Sequence, residues 1–306
     1  AAAVAAGLSF GSVGSETGAS VRRPAAFCGV VGLKPTCGRI SRYGMLPAAW
    51  SLDAVGVFAR TVAGARMMMD ALAGHDPRDP YSSRRELSRG SGEGVDGLRV
   101  GVPRAYMADV DAEGLAAFES ALAALGRLGA KVEDLPLPAV RFTAVTSTIV
   151  ASSETTAYHR RWLGERPRDY GDDVRGRLYM GAGISAGEYL LGQRARRLIA
   201  AELRGAFARC DLLAAPTAPG PAPRIADGLR AMNDRPLEVG AHHTNLVRLP
   251  SLLGLPTISV PCGWSRPGLP LGLQLVGRPF DEATVIRAAR AYEQVAGFAE
   301  RRPPLS

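Results

Sequence analysis

The stretch from Gly14 to Gly29 reads GSETGASVRRPAAFCG. Its first half is too rich in glycine and hydroxyls to hold a helix, and VRRPAAF then sets Pro24 close to a helix start, where a ring without an N–H is tolerated. A loop running into a helix turns several backbone N–H groups outward, and such a cluster can hold an oxyanion. On that reading the Ser20 hydroxyl attacks a carbonyl, and the N–H groups of Thr17, Gly18, Ala19 and Ser20 are the donors around it. The same spacing fits a tight turn with Ser20 as a helix N-cap. The residues by themselves leave both readings open.

Working outward, GLSFG (Gly7 to Gly11) matches the G-x-S-x-G elbow in which Ser9 is the nucleophile. That elbow needs a buried strand before it and a helix after it. Ser9 instead follows an alanine-rich, helix-favouring run and precedes GSVGSETG, which cannot be helical, so Ser9 is read as a turn residue.

From Leu98 onward strands and helices alternate, which predicts a layered α/β fold around a central sheet. LRVGVP reads as a strand. Asp111 caps a helix with Leu115, Phe118, Leu122, Leu125 and Leu128 on one face. KVEDLPL returns as a strand, Ser185 and Glu188 form a capping-box signature before a helix running to about Arg209, and DLLAAPT is a short buried strand. TISVPCGW and LGLQLVG are apolar enough for central strands, and a last helix follows Asp281. Residues 74–97, rich in Gly, Pro, Ser and charge, read as a surface excursion or linker. The strand-like segments on either side of it are incomplete alone, which favours one domain over residues 1–306.

The chain has 306 residues, 46% of them hydrophobic, enough for a large core. Its four cysteines show no metal spacing and are too sparse for a disulfide framework, so a reducing, cytoplasmic setting is expected, with no metal and no cofactor. The opening AAAVAAGLSFGS has neither a basic region nor a Met and reads as interior sequence. No apolar run is long enough for a membrane span. The formal charge of +8 is spread among acids, as on a solvated surface. The expected partners are therefore a small-molecule substrate and, possible from the sequence, a second copy in a homodimer, with no direct nucleic-acid contact and no membrane.

The stretch Gly14 to Gly44, GSETGASVRRPAAFCGVVGLKPTCGRISRYG, closely resembles the signature region of the amidase signature family, usually G-S/T-D-x-G-G-S-I/V-R-x-P-A. The likeness continues in SLDAVGVFARTV and AGHDPRDP and returns in LLGLPTISVPCGW and GLPLGLQLVGRPFDEATV. It implies an α/β/α layered fold around a mixed sheet and a Ser–cis-Ser–Lys catalytic set whose nucleophile falls on Ser20. A neutral, desolvated lysine takes a proton through the bridging serine, which activates the nucleophile. Ser15 and Arg22 fall in supporting positions, with Arg22 bracing the loop through carboxylate or carbonyl contacts, and Asp53 is read as structural. His75, His159, His242 and His243 belong to no triad.

Two departures stand out: Glu16 replaces the usual aspartate, and Ala19 replaces the second glycine, where its methyl is expected to narrow the oxyanion pocket. The resemblance places the bridging serine and the lysine upstream of Ala1, so these 306 residues read as an N-terminally truncated amidase, inactive alone and exposing apolar surface around AAAVAAGL and VVGL. Lys34, in GLKPT, is a motif residue the family has in addition to its catalytic lysine, and is read as structural. The favoured activity is hydrolysis of a carboxylic amide to carboxylate and ammonia or amine by a general amidase acting on linear amides. The segment ASSETTAYHRRWLGERPRDYGDDVRGRL supports it, as does the lack of an acid near Thr244 to hold the α-amino group of glutamine. The alternatives are the A subunit of a glutamine-dependent tRNA amidotransferase and a non-catalytic binding domain.

Overall fold

A computed structural model describes residues 1–88, 94–224 and 241–304. Eight strands form one mixed sheet: β1 (Gly11–Glu16), β2 (Val31–Lys34), β3 (Ala54–Ala59), β4 (Arg99–Val102), β5 (Lys131–Asp134), β6 (Leu212–Pro216), β7 (Thr257–Trp264) and β8 (Pro270–Gly277). Their order is β1-β3-β2-β7-β8-β6-β4-β5. The β6-β4 and β4-β5 pairs are parallel and the others antiparallel. This is the mixed α/β sheet expected from the sequence. The central strands are apolar and buried on both faces, as TISVP and LGLQLVG require.

Strand β1 is the outermost on its side, pairing with β3 from Gly11↔Ala59 to Glu16↔Ala54. It follows a short first helix, α1 (Ala2–Ala5), and ends where the loop at residues 17–20 begins, with α2 (Arg22–Cys28) next. This helix lies on the sheet closely enough that a methyl group on Gly32 would come within 2.6 Å of the Ala25 Cβ, and one on Gly272 within 2.6 Å of the Ala26 Cβ. Glycine at these two strand positions lets α2 sit down on β2 and β8. The last helix, Glu282–Ala296, packs on the opposite face, with Val285 over Gly277. Helix α3 (Val62–Leu72) joins it there, its first N–H bonded to Glu293 Oε1 at 2.8 Å.

Helix α4 (Ala112–Arg127) carries the expected Asp111 cap, whose carboxylate accepts from Gly114 N–H. Phe118, Leu122 and Leu125 are buried, but Leu115 is exposed. Three helices follow before β6: α5 (Thr143–Glu165), α6 (Asp172–Ala182) and α7 (Ala186–Arg209), the last with both arms of the Ser185–Glu188 capping box. Helix α8 (Ala241–Leu252) leads into β7; the side chains of His242 and His243 lie outside the described residues.

Part of the expected excursion at 74–97 is tied down. Asp79 is buried and accepts from Arg42 N–H at 2.8 Å, and Ser83 N–H donates to the Gly38 carbonyl at 2.8 Å. Residues 89–93 lie outside the described residues. The expectation of bare apolar surface around VVGL is corrected: Val30, Val31 and Leu33 are fully buried because β2 is an interior strand. The exposed apolar side chains near the N-terminus are Leu8, Phe10 and Val13, at and beside the outer strand.

Candidate active site at the Ser20 loop

Both ends of the loop are fastened by carboxylates. Glu16, the last residue of β1, is buried, and its Oε2 accepts from the N–H groups of Val21 (3.1 Å) and Arg22 (3.2 Å). Its Oε1 accepts from Arg22 Nε (2.9 Å), Arg22 Nη2 (2.7 Å) and Ser251 Oγ (2.7 Å). One carboxylate thus closes a turn over residues 17–20. Burial pushes the Glu16 carboxyl up, yet the charges of Arg22 and Lys34 and the hydrogen bonds from Arg22 and Ser251 outweigh it, holding the group below its ordinary value.

Arg22 is fully buried and reaches far across the chain. Its Nη1 donates to Gln274 Oε1 on β8 (2.5 Å), and its Nη2 to the Val247 carbonyl (2.8 Å) and Ser251 Oγ (3.0 Å) on α8. The bracing role read for Arg22 is the geometry seen. On the other side of the loop, Thr17 donates its hydroxyl to Asp53 Oδ1 at 2.5 Å, and Asp53 Oδ2 accepts from the N–H groups of Ala48 and Ala49 at 2.9 Å each. Burial raises the Asp53 carboxyl above its ordinary value, against those three hydrogen bonds.

Between these anchors Ser20 is exposed, and space beside Gly18 is open, with no atom within 4 Å of where a methyl group would stand. Among the described residues, no protein group accepts a hydrogen bond from the N–H of Gly18, Ala19 or Ser20. Ala19 has φ of 117°, a left-handed region that favours glycine, and it is 3% exposed. Its methyl is therefore buried and does not narrow the space around Ser20; the substitution is felt as backbone strain. Ser15 stands exposed on β1, opposite Val55. Ser9 gives its hydroxyl to the Gly11 carbonyl at 2.5 Å, as a turn residue does.

Lys34 is buried with its Nζ donating to the Pro35 carbonyl at 3.0 Å. Burial, opposed chiefly by Glu16, lowers its pKa to about 8. His159 lies in an aromatic cluster, its Nδ1 3.0 Å from the Tyr170 hydroxyl, and burial lowers its pKa.

The Amidase family model matches residues 1–286 of the chain. The chain belongs to the amidase signature family. It is 36% identical to the A subunit of the glutamyl-tRNA(Gln) amidotransferase of Thermodesulfovibrio yellowstonii over 332 residues, covering 100% of this chain and 68% of that protein. The crystal structure of the A subunit of the Thermotoga maritima glutamyl-tRNA(Gln) amidotransferase superposes with a TM-score of 0.80 at 36% identity, over 95% of this chain and 64% of that one. A bacterial aryl acylamidase of the amidase signature family superposes with a TM-score of 0.81 at 26% identity, over 98% of this chain and 66% of that one. The chain thus spans about two thirds of the length of these relatives.

These relatives correct the expected set of partners. A small-molecule substrate, a possible homodimer and no nucleic acid describe a self-sufficient enzyme, whereas the amidotransferase relatives are named as one subunit of a larger enzyme whose name ties it to tRNA. A spread-out positive charge speaks only to a patch on this chain, not to what companion subunits contact. Among the described residues no helix is long and apolar enough to cross a membrane.

Proposed function

We propose that this amidase-family chain carries the amide-cleaving step of an assembly of the amidotransferase kind, with Ser20 as its nucleophile. The observation that supports this best is the run of three backbone N–H groups without protein acceptors, Gly18 to Ser20, ending on an exposed hydroxyl in a loop clamped by Glu16 and Asp53. Donors fixed before the substrate arrives cost no reorganisation when charge develops on the carbonyl oxygen.

In the reaction the Ser20 Oγ bonds to the carbonyl carbon, the C–N bond breaks, and the proton leaving Ser20 goes to the departing nitrogen. Water then cleaves the acyl ester and restores the hydroxyl. The serine needs a base for this. Lys34 has its Nζ on a backbone carbonyl and its charge coupled to Glu16, so it serves the buried ionic cluster. The lysine and bridging serine that the resemblance places upstream of Ala1 supply proton transfer on this proposal. Residues 1–306 alone then release ammonia slowly, since general-base assistance is worth roughly 10²–10⁴-fold.

The test combines covalent labelling with ammonia release. A serine-directed phosphonate is expected to label Ser20 in a chain extended upstream, to miss Ser20→Ala, and to leave Ser9→Ala unaffected. Companion subunits of a tRNA amidotransferase are expected to co-elute with that extended chain. Full turnover by Ser20→Ala, or label on Ser9, would refute the assignment.

A further inference from the structure

Helix α7 carries Gln193, Arg197, Ala200 and Arg204 three or four residues apart, on one face, and that face is one wall of a cavity of about 350 Å³. The facing wall is apolar: Leu253 and Leu255 come from the turn between α8 and β7, and Pro279 from the turn after β8. Arg197 and Arg204 are exposed, and among the described residues neither makes a hydrogen bond or an ion pair. Their Cα atoms are two helical turns apart, about 10 Å along the axis. Ala200 stands between them, so this face puts nothing larger than a methyl group between the two arginines.

The neighbouring charges on α7 are engaged elsewhere. Arg196, which also borders the cavity, donates from Nη1 to Ser51 Oγ (3.0 Å) and from Nη2 to the Ser51 carbonyl (2.9 Å). Glu202 accepts the Ala139 N–H on both carboxylate oxygens, at 3.1 and 2.9 Å. What remains at the cavity is two free guanidinium groups facing an apolar wall. A guanidinium fork matches the oxygens of a phosphate or a carboxylate, and two such charges are offset by a dianion, whereas a monocarboxylate offsets one.

We propose that this cavity binds a phosphate monoester with a small apolar body, its dianionic phosphate between Arg197 and Arg204 and its body against Leu253, Leu255 and Pro279. Ser20 does not border the cavity, so the site is separate from the candidate nucleophile and does not depend on that assignment.

The experiment is calorimetric titration of the full chain at pH 8, where a phosphate monoester is a dianion, with phenyl phosphate, benzoate and inorganic phosphate as probes. Phenyl phosphate is expected to bind about tenfold or more tightly than benzoate, which keeps the ring and loses a charge, and than inorganic phosphate, which keeps the charge and loses the ring. Arg197→Gln and Arg204→Gln are each expected to weaken it about tenfold, and Ala200→Leu to abolish it by filling the space between them. Arg209→Gln, on the same helix but outside the cavity, is expected to leave it unchanged. All three arginines are exposed, so these variants keep the fold, which circular dichroism checks; if Ala200→Leu does not fold, the arginine variants decide. No binding of phenyl phosphate, binding of benzoate or inorganic phosphate as tight as that of phenyl phosphate, or an equal loss with Arg209→Gln would overturn the proposal. Undiminished binding by folded Ala200→Leu would overturn it as well.

Discussion

Replacing Arg22 with Met keeps the length of the side chain and removes its charge. The substitution strips Glu16 of two hydrogen bonds and its principal cation, and leaves Gln274 Oε1 and the Val247 carbonyl short of a donor inside the protein. Removing one partner of a buried ion pair costs about 3–5 kcal/mol, because the remaining charge stays desolvated. In a chain of this size that is roughly 2 °C per kcal/mol, or a drop in Tm of about 6–10 °C. The penalty carries a pH signature. In the parent protein the folded Glu16 pKa lies below its unfolded value, so its contribution is present above the unfolded pKa and lost as pH falls through the folded one. Without Arg22 burial moves the folded pKa upward, so the variant is more destabilised at pH 7 than at pH 4. Urea unfolding at both pH values measures this, and Arg22→Met/Glu16→Gln, which removes both charges, should recover at least about 1 kcal/mol relative to the sum of the single changes. A loss under about 1 kcal/mol at pH 7, or an equal loss at pH 4, would refute the claim that this pair holds the loop.

Two further outcomes follow from buried groups. Ala19→Gly trades about 1–3 kcal/mol of backbone strain against glycine's entropy and a lost buried methyl, giving a change between zero and about +1 kcal/mol, whereas Ala19→Val costs at least about 2 kcal/mol; equal Tm for all three proteins would show the φ of 117° is not strained. Lys34, whose pKa falls to about 8 on folding from about 10.4 unfolded, binds its proton less well in the folded state, so stability rises with pH between about 8 and 10 and is flat below; thermal unfolding of Lys34→Met should lack that rise, and an unchanged slope would assign it elsewhere.

What the sequence made legible was whatever had a local cause. The capping box at Ser185 and Glu188, the Asp111 cap and the apolar runs of β7 and β8 each reside within a few neighbouring residues, and each is where the sequence put it. Strand β1 was not legible, because GSVGSE has little strand propensity and is extended through its pairing with β3. Helix α5 hides for the opposite reason: Thr143, Thr146, Ser147, Glu154 and Thr156 are all buried, so it shows no apolar stripe. The bracing contacts of Arg22 were foreseeable in kind, since a buried guanidinium needs acceptors, but not in address, since Ser251 and Gln274 come from the far end of the chain.

That distance bears on how the protein is made. Arg22 and Gln274 are 252 residues apart, and Ser251, which also bonds Glu16, is nearly as remote. At about 5–20 residues per second, synthesis of the intervening chain takes on the order of 10–50 s. For all that time the newborn Arg22 and Glu16 have each other but neither β8 nor α8 to close over them. Ser20 leaves the ribosome well before Gln274 and acquires its fixed surroundings last, so a chain stalled before Gln274 carries Ser20 without the complete clamp that orders its loop.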